Sequence, residues 1–590
     1  MKAMLFFPPN WTPSMPHLAL PTLTAFLRSH GVEVIQRDLN IEVFDAVLRR
    51  DYLESALALL RRDYGPTGER RPRRRVVAPA DQVRWALQHG PTVAAQVEAA
   101  KQVLKSPAFF DGPLGRAAFE TVVQALQLAS LPTFPAALEI GTYRPAATAD
   151  SSRSILREVR DPSVNLLIEL YRRHVLPDIV RECPDVVGIS IPSMAQLVPG
   201  LTLAALIKDH GLPCHVTVGG PHVTMLRDRL LRSPALFGLI DSAVVFDGEV
   251  PLLRLIEAVA HGTPLDAVPN LIAVFDGAVR ATARKTPERI GALPLPDFAG
   301  LPLDRYLAPQ LTLPLMTARG CYYGKCAFCN VGYGEAETFS LMRSELLAEQ
   351  MVALKRQYGV EQIFFADEAL TPRTLRELSK IMQRDGVPLL WGGCARFERP
   401  ITGELLASMR AGGCRMILFG LESASEPVMQ KMAKGTQLEH MHRILRESTA
   451  AGIWNHTFFF FGFPGETLEQ AQETVNFLYE HQEHIHSAAF GTFLLEIDAP
   501  AHRYAASFGI TRVIDPPEKD LAIYFDYETA AGMSAEFADT VAERFLDALP
   551  EKPYPQFYVN DVYRFLYACH LGRQGAAAPP WLVPQAAAPA

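Results

Sequence analysis

Apolar and polar positions fall along the chain in two blocks, each a series of short apolar runs separated by stretches with helical spacing. KAMLFFPP (2–9) is an apolar run closed by prolines. HLALPTLTAFLRSHG (17–31) carries Leu20, Leu23, Phe26 and Leu27 at helical intervals and stops at Gly31, and VEVIQRDLN (32–40) reads as a second strand. The alternation breaks over about 41–180, which reads as mostly helical. It resumes with the strand DVVGISIPS (185–193), the helix LTLAALIKDHG (201–211), the strands CHVTVGG (214–220) and SAVVFDGE (242–249), and the helix PLLRLIEAVAHG (251–262). NLIAVFDGAVRATA (270–283) has a hairpin turn at Asp276-Gly277. Strands separated by helices of this length predict a parallel, doubly wound α/β domain over 1–285, with a helical insertion at about 41–180.

The proline-rich stretch 286–310, including RIGALPLPDFAGLPLDRY, is expected to be a linker. A second block then runs over 311–504. LTLPLMTA, VEQIFFADE (360–368), PLLWGGCAR (388–396), RMILFGLES (415–423), NHTFFFFGFPGE (455–466) and AAFGTFLLE (488–496) are strands separated by helix-like sequence. Six such strands predict a partial (β/α)6 barrel with its chemistry at their C-terminal ends. Residues 505–575 read as a mainly helical C-terminal region, and 576–590 as a disordered tail.

Composition narrows the class. A chain of 590 residues exceeds one core, so two or three domains are expected. The net charge of −7 argues against a nucleic-acid partner. FFFFGF (458–463) is too short to span a bilayer, and MKAMLFFPPN lacks the apolar length of a signal peptide. Eight scattered cysteines without such a signal fit a reducing, cytoplasmic location.

Three of the eight lie together in ARGCYYGKCAFCN (318–330): Cys321, Cys326 and Cys329. Zinc usually takes four ligands, but no histidine lies near the triplet, and Cys394 and Cys414 belong to other strands. A disulfide with a spare thiol does not suit a reducing compartment. An iron–sulfur cluster with one iron left open suits three thiolates better, so ligand count favours it over zinc.

RGCYYGKCAFC resembles the cluster loop of radical S-adenosylmethionine (SAM) enzymes, with C-x4-C-x2-C where that family usually has C-x3-C-x2-C. The resemblance implies a four-iron–four-sulfur cluster on Cys321, Cys326 and Cys329, with SAM on the open iron. It also implies SAM contacts from Phe328 in the loop, Asp367 and Glu368 of FADE, Arg396 of CAR, Glu422 and Ser423 of GLES, and Phe461, Gly462 and Pro464 of FFGFPGET. The same residues have plainer readings: Asp367-Glu368 as a charge pair at a helix start, Glu422 as a surface carboxylate, the phenylalanines as core.

In the first block, GISIPS (188–193), VTVGGPHVT (216–224) and FDGEVPLL (246–253) resemble the Rossmann-like cobalamin-binding half of B12-dependent radical SAM proteins. Phe246-Asp247 stand where the family has Gly-Glu. That likeness implies cobalamin contacts from Pro9, Asn10, Ser190, Pro192, Ser193, Gly219, Gly220, Gly248 and Glu249. No Asp-x-His triplet occurs, so no histidine is expected below cobalt, and His17 reads as a helix-start residue.

The implied activity is methylation of an unactivated carbon through a 5′-deoxyadenosyl radical and methylcobalamin, with flavodoxin or ferredoxin as electron donor. The alternatives are a rearrangement or cyclisation without methyl transfer, and a non-catalytic cofactor-binding protein. With no peptide-leader module in view, a small-molecule substrate is expected. The basic run RRDYGPTGERRPRRR (61–75) reads as a solvated loop or an anion-recognition element.

Overall fold

The computed structural model of the chain describes residues 1–69, 77–334, 339–549 and 560–576. Much of the basic run (70–75) and the tail from 577 lie outside the described residues. Two compact units form: Met1–Glu288 with Leu293–Gln310 and Pro516–Ala522, and Arg289–Ala292 with Leu311–Asp515 and Ile523–Ala590.

In the first unit, β1 (Lys2–Phe7) is buried from Ala3 onward, because helices cover both faces of a parallel sheet. Helix α1 (Ala19–Ser29) buries Leu20, Phe26 and Leu27 and leads into β2 (Glu33–Asp38). Asp38 then caps α2 (Leu39–Val47) by accepting from the Asn40 and Ile41 amides. The insertion continues with α3 (Arg50–Tyr64), α4 (Ala80–Leu104), α5 (Gly112–Ser130), a two-residue hairpin of β3 (Ala137–Leu138) and β4 (Tyr143–Arg144), then α6 (Ser152–Glu158), α7 (Leu167–His174) and α8 (Leu176–Glu182). The sheet resumes with β5 (Val186–Ser190), α9 (Leu197–Asp209), β6 (His215–Gly219), α10 (Pro221–Met225), α11 (Arg227–Leu230), β7 (Ser242–Val244), α12 (Glu249–His261), β8 (Leu271–Phe275) and β9 (Ala278–Ala281).

The strand order is β2-β1-β5-β6-β7-β8-β9, parallel as far as β7 and antiparallel at the last two pairs. This is a Rossmann-like doubly wound sheet whose order reverses between β1 and β5. Part of the expected linker is folded against it. Gln36 Nε2 donates to the Asp297 and Ala299 carbonyls (2.7 and 2.9 Å), and the Tyr306 hydroxyl to Asp38 (2.5 Å). The prolines removed periodicity from 293–310 without removing its contacts.

In the second unit, β10 (Thr312–Leu315), β13 (Gln362–Phe365), β14 (Leu390–Ala395), β15 (Cys414–Glu422), β16 (Trp454–Phe461) and β17 (Ser487–Thr492) pair in that order, all parallel, as a six-stranded partial barrel. The short β11 (Ala318–Arg319) and β12 (Ser340–Leu341) pair with each other. Helices α13 (Ser344–Tyr358), α14 (Pro372–Arg384), α15 (Gly403–Ala411), α16 (Glu426–Lys431), α17 (Leu438–Ala450) and α18 (Leu468–Glu480) connect the strands. Thr467 and Gln470 start α18 with a reciprocal capping box.

After β17 come β18 (Leu495–Glu496), α19 (Pro500–Arg503), β19 (Ile510–Ile514), β20 (Tyr524–Thr529), α20 (Ala535–Ala548) and α21 (Asp561–Arg573), with β18-β20-β19 forming a small sheet. Among the described residues no helix is long and apolar enough to cross a membrane.

Candidate active site

Strand β10 leads into the cysteine-bearing segment from Gly320, flanked by β11 paired with β12 (Ala318 opposite Leu341, Arg319 opposite Ser340). Cys321, Cys326 and Cys329 stand on it as half-buried free thiols. The loop's base is held by buried Asp367, just beyond β13, whose carboxylate accepts from the Thr317 amide (2.9 Å), the Thr317 hydroxyl (2.6 Å) and the Ala318 amide (2.7 Å). Burial pushes that carboxyl up to about 6, against those hydrogen bonds. Across the loop, Ala327 N donates to Met432 O (2.8 Å) and the Tyr323 hydroxyl to Ala433 O (2.6 Å). Gly435 permits that approach, since a Cβ there would sit 2.3 Å from the Tyr323 oxygen.

Arg396 follows β14 and lies over the Tyr323 ring, 3.6 Å from its centroid. Its Nε donates to Glu398 (2.9 Å), its Nη2 to the Lys434 carbonyl, and its Nη1 lies 3.8 Å from Cys326 Sγ. At the end of β15 the register with β16 shifts between Gly420 and Glu422, and Glu422 takes a left-handed φ of +61°. Its carboxylate pairs with Lys434 Nζ at 2.8 Å, both side chains largely buried. The same ammonium lies 5.6 Å from the Phe328 ring centroid, and Phe328 meets Phe460 edge-on at 5.3 Å. Cys326, Phe328, Arg396 and Glu422 are thus gathered around Lys434, which sequence reasoning missed; the basic residue in KMAKGT after GLES was the available signal.

Other expected contacts are placed differently. Asp367 commits its carboxylate to the loop base, so it positions the cysteines, whereas neighbouring Glu368 is exposed as a residue but has its carboxyl raised by the desolvation that surrounding protein imposes. Arg396 spends its donors on Glu398, Lys434 and Cys326, and so braces the loop. Ser423 is fully buried, meets Thr474 Oγ1 (3.2 Å) and accepts from the Ser425 amide (3.1 Å); it ties β15 to α18. Phe461 is core, packed on Phe459 and Phe545. Gly462 N donates to Glu466 Oε2 (2.6 Å), Gly462 O accepts from the Tyr527 hydroxyl (3.2 Å), and Pro464 O accepts from Lys431 (2.8 Å). Those backbone groups already have protein partners. Glu466, also missed, closes this turn, and burial pushes its carboxyl up to about 7. Glu496, on β18, is likewise pushed up to about 7 by burial, with the Glu368 carboxylate adding to the effect.

Burial pushes the Cys329 thiol up to about 12 and raises Cys326, so both are protonated unless a metal centre displaces the proton. Ligands of a single tetrahedral zinc stand about 3.8 Å apart, given Zn–S near 2.3 Å. Among the described residues the one His/Cys/Asp/Glu trio with ligand atoms within 4.8 Å of one another contains none of these cysteines.

In the first unit, the loops after β1 and β5 flank the point where strand order reverses, the usual ligand crevice of such sheets. Asn10 is fully buried there: its Nδ2 donates to Glu139 O (2.5 Å) while its Oδ1 has no partner. Ser14 Oγ, Gln196 Nε2 and both ring nitrogens of His222 are also buried without partners. Ser190 ends β5, Pro192 follows, and the Ser193 hydroxyl donates to Gln196 Oε1.

Gly219 and Gly220, expected to make room for a ligand, make room for the protein itself. A Cβ on Gly220 (φ +112°) would lie 2.8 Å from Ile191 O, and one on Gly219 3.2 Å from Val244 O. Gly248 caps α12, whose first residue Glu249 is buried. Phe246 keeps the left-handed backbone a glycine would take (φ +63°), with the Arg284 guanidinium 4.2 Å from its ring centroid. His17 stacks on Phe7 at 4.6 Å and accepts from Ala19 N; burial pushes it down to about 4.

Comparison with known proteins agrees with this layout. Residues 315–478 match the radical SAM superfamily. Over 344 residues the chain is 27% identical to an uncharacterized methyltransferase of Pyrococcus horikoshii, covering 57% of this chain and 74% of that protein. It is 26% identical over 304 residues to the anaerobic magnesium-protoporphyrin IX monomethyl ester cyclase of Rubrivivax gelatinosus, covering 49% of this chain and about half, 53%, of that one. In fold it is similar to the radical SAM methyltransferase TsrM of Kitasatospora setae, solved with cobalamin and a [4Fe-4S] cluster bound. The TM-score is 0.52 at 16% identity, over 85% of this chain and 76% of that one.

Proposed function

With a radical SAM domain over residues 315–478 as the premise, we propose that the chain is a cobalamin-dependent radical SAM methyltransferase acting on an unactivated carbon of a small molecule. The observation that carries the reading is the loop of three free thiols braced at the C-terminal ends of a six-stranded parallel barrel. Cys321, Cys326 and Cys329 would hold the cluster, with Glu368 facing the SAM amino group and Glu422 with Lys434 facing the ribose side. At the first unit's reversal point, the loops carrying Pro9, Asn10, Ser190, Pro192 and Ser193, with Gly248 and Glu249, would hold cobalamin. The unpartnered polar atoms of Asn10, Ser14, Gln196 and His222 suit a ligand rimmed with amides.

When bound, the cluster supplies one-electron cleavage of SAM and cobalamin a transferable methyl group. The chain's own residues orient and exclude water. Asp367 and Arg396 fix the cysteine loop from two sides, and Phe328 with Phe460 forms an apolar wall beside the Glu422–Lys434 pair. A reducing partner such as flavodoxin or ferredoxin would supply the electron.

The test is product analysis. Reconstituted protein given SAM and a reductant should release both 5′-deoxyadenosine, from reductive cleavage, and S-adenosylhomocysteine, the co-product of methyl transfer from SAM. The similarity to a cyclase favours a second reading, cyclisation or rearrangement without methyl transfer. Release of 5′-deoxyadenosine without S-adenosylhomocysteine selects that reading, and release of neither rejects both.

A further inference from the structure

Two histidine-bearing stretches take no part in the chemistry proposed above: QLEHMH (437–442) and EHQEHIH (480–486). They converge in the outer helical layer of the barrel. His442 Nδ1, on α17, lies 2.5 Å from Nε2 of His481, the residue that follows the last turn of α18. Glu480 Oε1 is 3.5 Å from the first nitrogen and 3.8 Å from the second. All three ligand atoms fall within 4.8 Å of one another. Bond lengths of about 2.0–2.2 Å to zinc set donors about 3.3–3.5 Å apart in a tetrahedral site, so the imidazoles need to part by only about 1 Å.

The surroundings favour a cation. Glu480 closes α18, where the helix carries its partial negative charge. The Phe477 ring packs on both imidazoles, at 4.8 and 4.6 Å, and fixes their planes. His481 is 3% exposed, His442 29% and Glu480 64%, so the trio opens to solvent on the carboxylate side, where water can complete the coordination. Two imidazoles and a carboxylate suit zinc and its transition-metal neighbours, and suit magnesium poorly.

We propose that His442, His481 and Glu480 bind one zinc-class divalent ion that ties α17 to the C-terminal end of α18. The site is independent of the cluster loop and of the reaction assigned to it.

The test uses the full-length chain in two forms, with its cluster reconstituted and with Cys321, Cys326 and Cys329 replaced by alanine so that thiolates cannot take the probe. After zinc chloride and desalting, both should retain one zinc per chain beyond any in the cluster loop. His442→Asn and His481→Asn should each lower zinc affinity about 100-fold, and Glu480→Gln about ten-fold. Cu2+ in the triple-alanine chain should show electron paramagnetic resonance coupling to two nitrogens, and to one in either histidine variant. Zinc should raise the melting temperature of the parent but not of His442→Asn, and metal-free melting of the two should agree. Unchanged zinc binding in both histidine variants, or no zinc in the triple-alanine chain, overturns the proposal.

Discussion

At the C-terminal edges of the two parallel sheets, two sets of polar side chains differ in how they are satisfied. In the barrel, the carboxylate of Asp367, the guanidinium of Arg396 and the Glu422–Lys434 pair are bonded to protein around the three thiols. In the first unit, Asn10 Oδ1, Ser14 Oγ, Gln196 Nε2 and both His222 nitrogens are buried without a partner. The first set is bonded to protein before any ligand arrives. The second leaves hydrogen-bonding capacity unused, at about 1–3 kcal/mol per atom. A cluster loop must hold three thiols at fixed spacing, whereas a crevice for a large amide-rich ligand can leave satisfaction of its polar atoms to that ligand.

The largest expected effect breaks the bonded set. Asp367→Ala strands two amides and a hydroxyl that now share a charged acceptor, and should cost about 4 kcal/mol. Asp367→Asn, which keeps one acceptor oxygen, should cost about half of that. Denaturant titration together with hydrogen exchange at residues 317–318 reads both. Next, Lys434→Met leaves the Glu422 carboxylate buried and alone, for about 3 kcal/mol. Adding Glu422→Gln should recover much of that loss, and a double-mutant cycle showing simple additivity would mean the pair is not coupled.

A pH comparison sharpens the contrast. Burial pushes His222 down to about 4 and Glu466 up to about 7. Between pH 4 and 6.5 unfolded His222 binds a proton that the native residue refuses, so its contribution is full above 6.5 and lost as pH falls. Between pH 4.5 and 7 native Glu466 keeps a proton that the unfolded residue releases, so stability falls as pH rises. Each effect reaches about 3 kcal/mol. His222→Leu should flatten the acid limb of the melting profile, and Glu466→Gln the limb towards neutrality. The smallest effect is at Ser14. Ser14→Ala should leave the free protein within about 1 kcal/mol of the parent, on the stable side, while weakening hydroxocobalamin binding about three- to ten-fold. Equal binding by both proteins removes Ser14 from the crevice.

Much of this was legible from pattern. Alternating apolar runs marked every strand of both parallel sheets, and cysteine spacing marked the loop. Side-chain direction at strand ends was not, because it depends on register. The shift between Gly420 and Glu422 breaks two-residue alternation, buries Ser423 and turns Glu422 onto Lys434, a residue twelve positions away. Asp367 and Glu368 are adjacent and chemically alike, yet only the fold shows that one anchors the loop base while the other stays exposed. Gly219-Gly220 looked like a ligand cradle because glycine signals close approach, but the group approaching is the backbone at Ile191 and Val244. The His442–Glu480–His481 trio was not legible because His442, on α17, meets the adjacent Glu480-His481 pair only in the folded chain.

On the reading proposed above, one chain holds a cluster in the barrel and cobalamin in the doubly wound unit, each by its own residues. The most direct test is to count iron and cobalamin in anaerobically reconstituted wild-type protein and in the Cys321→Ala, Cys326→Ala, Cys329→Ala variant. Wild-type chains should hold about four irons, as one four-iron cluster requires, and about one cobalamin. The variant should hold no cluster iron and an unchanged cobalamin. Iron with acid-labile sulfide retained by the variant, or no cobalamin in either protein, would contradict it.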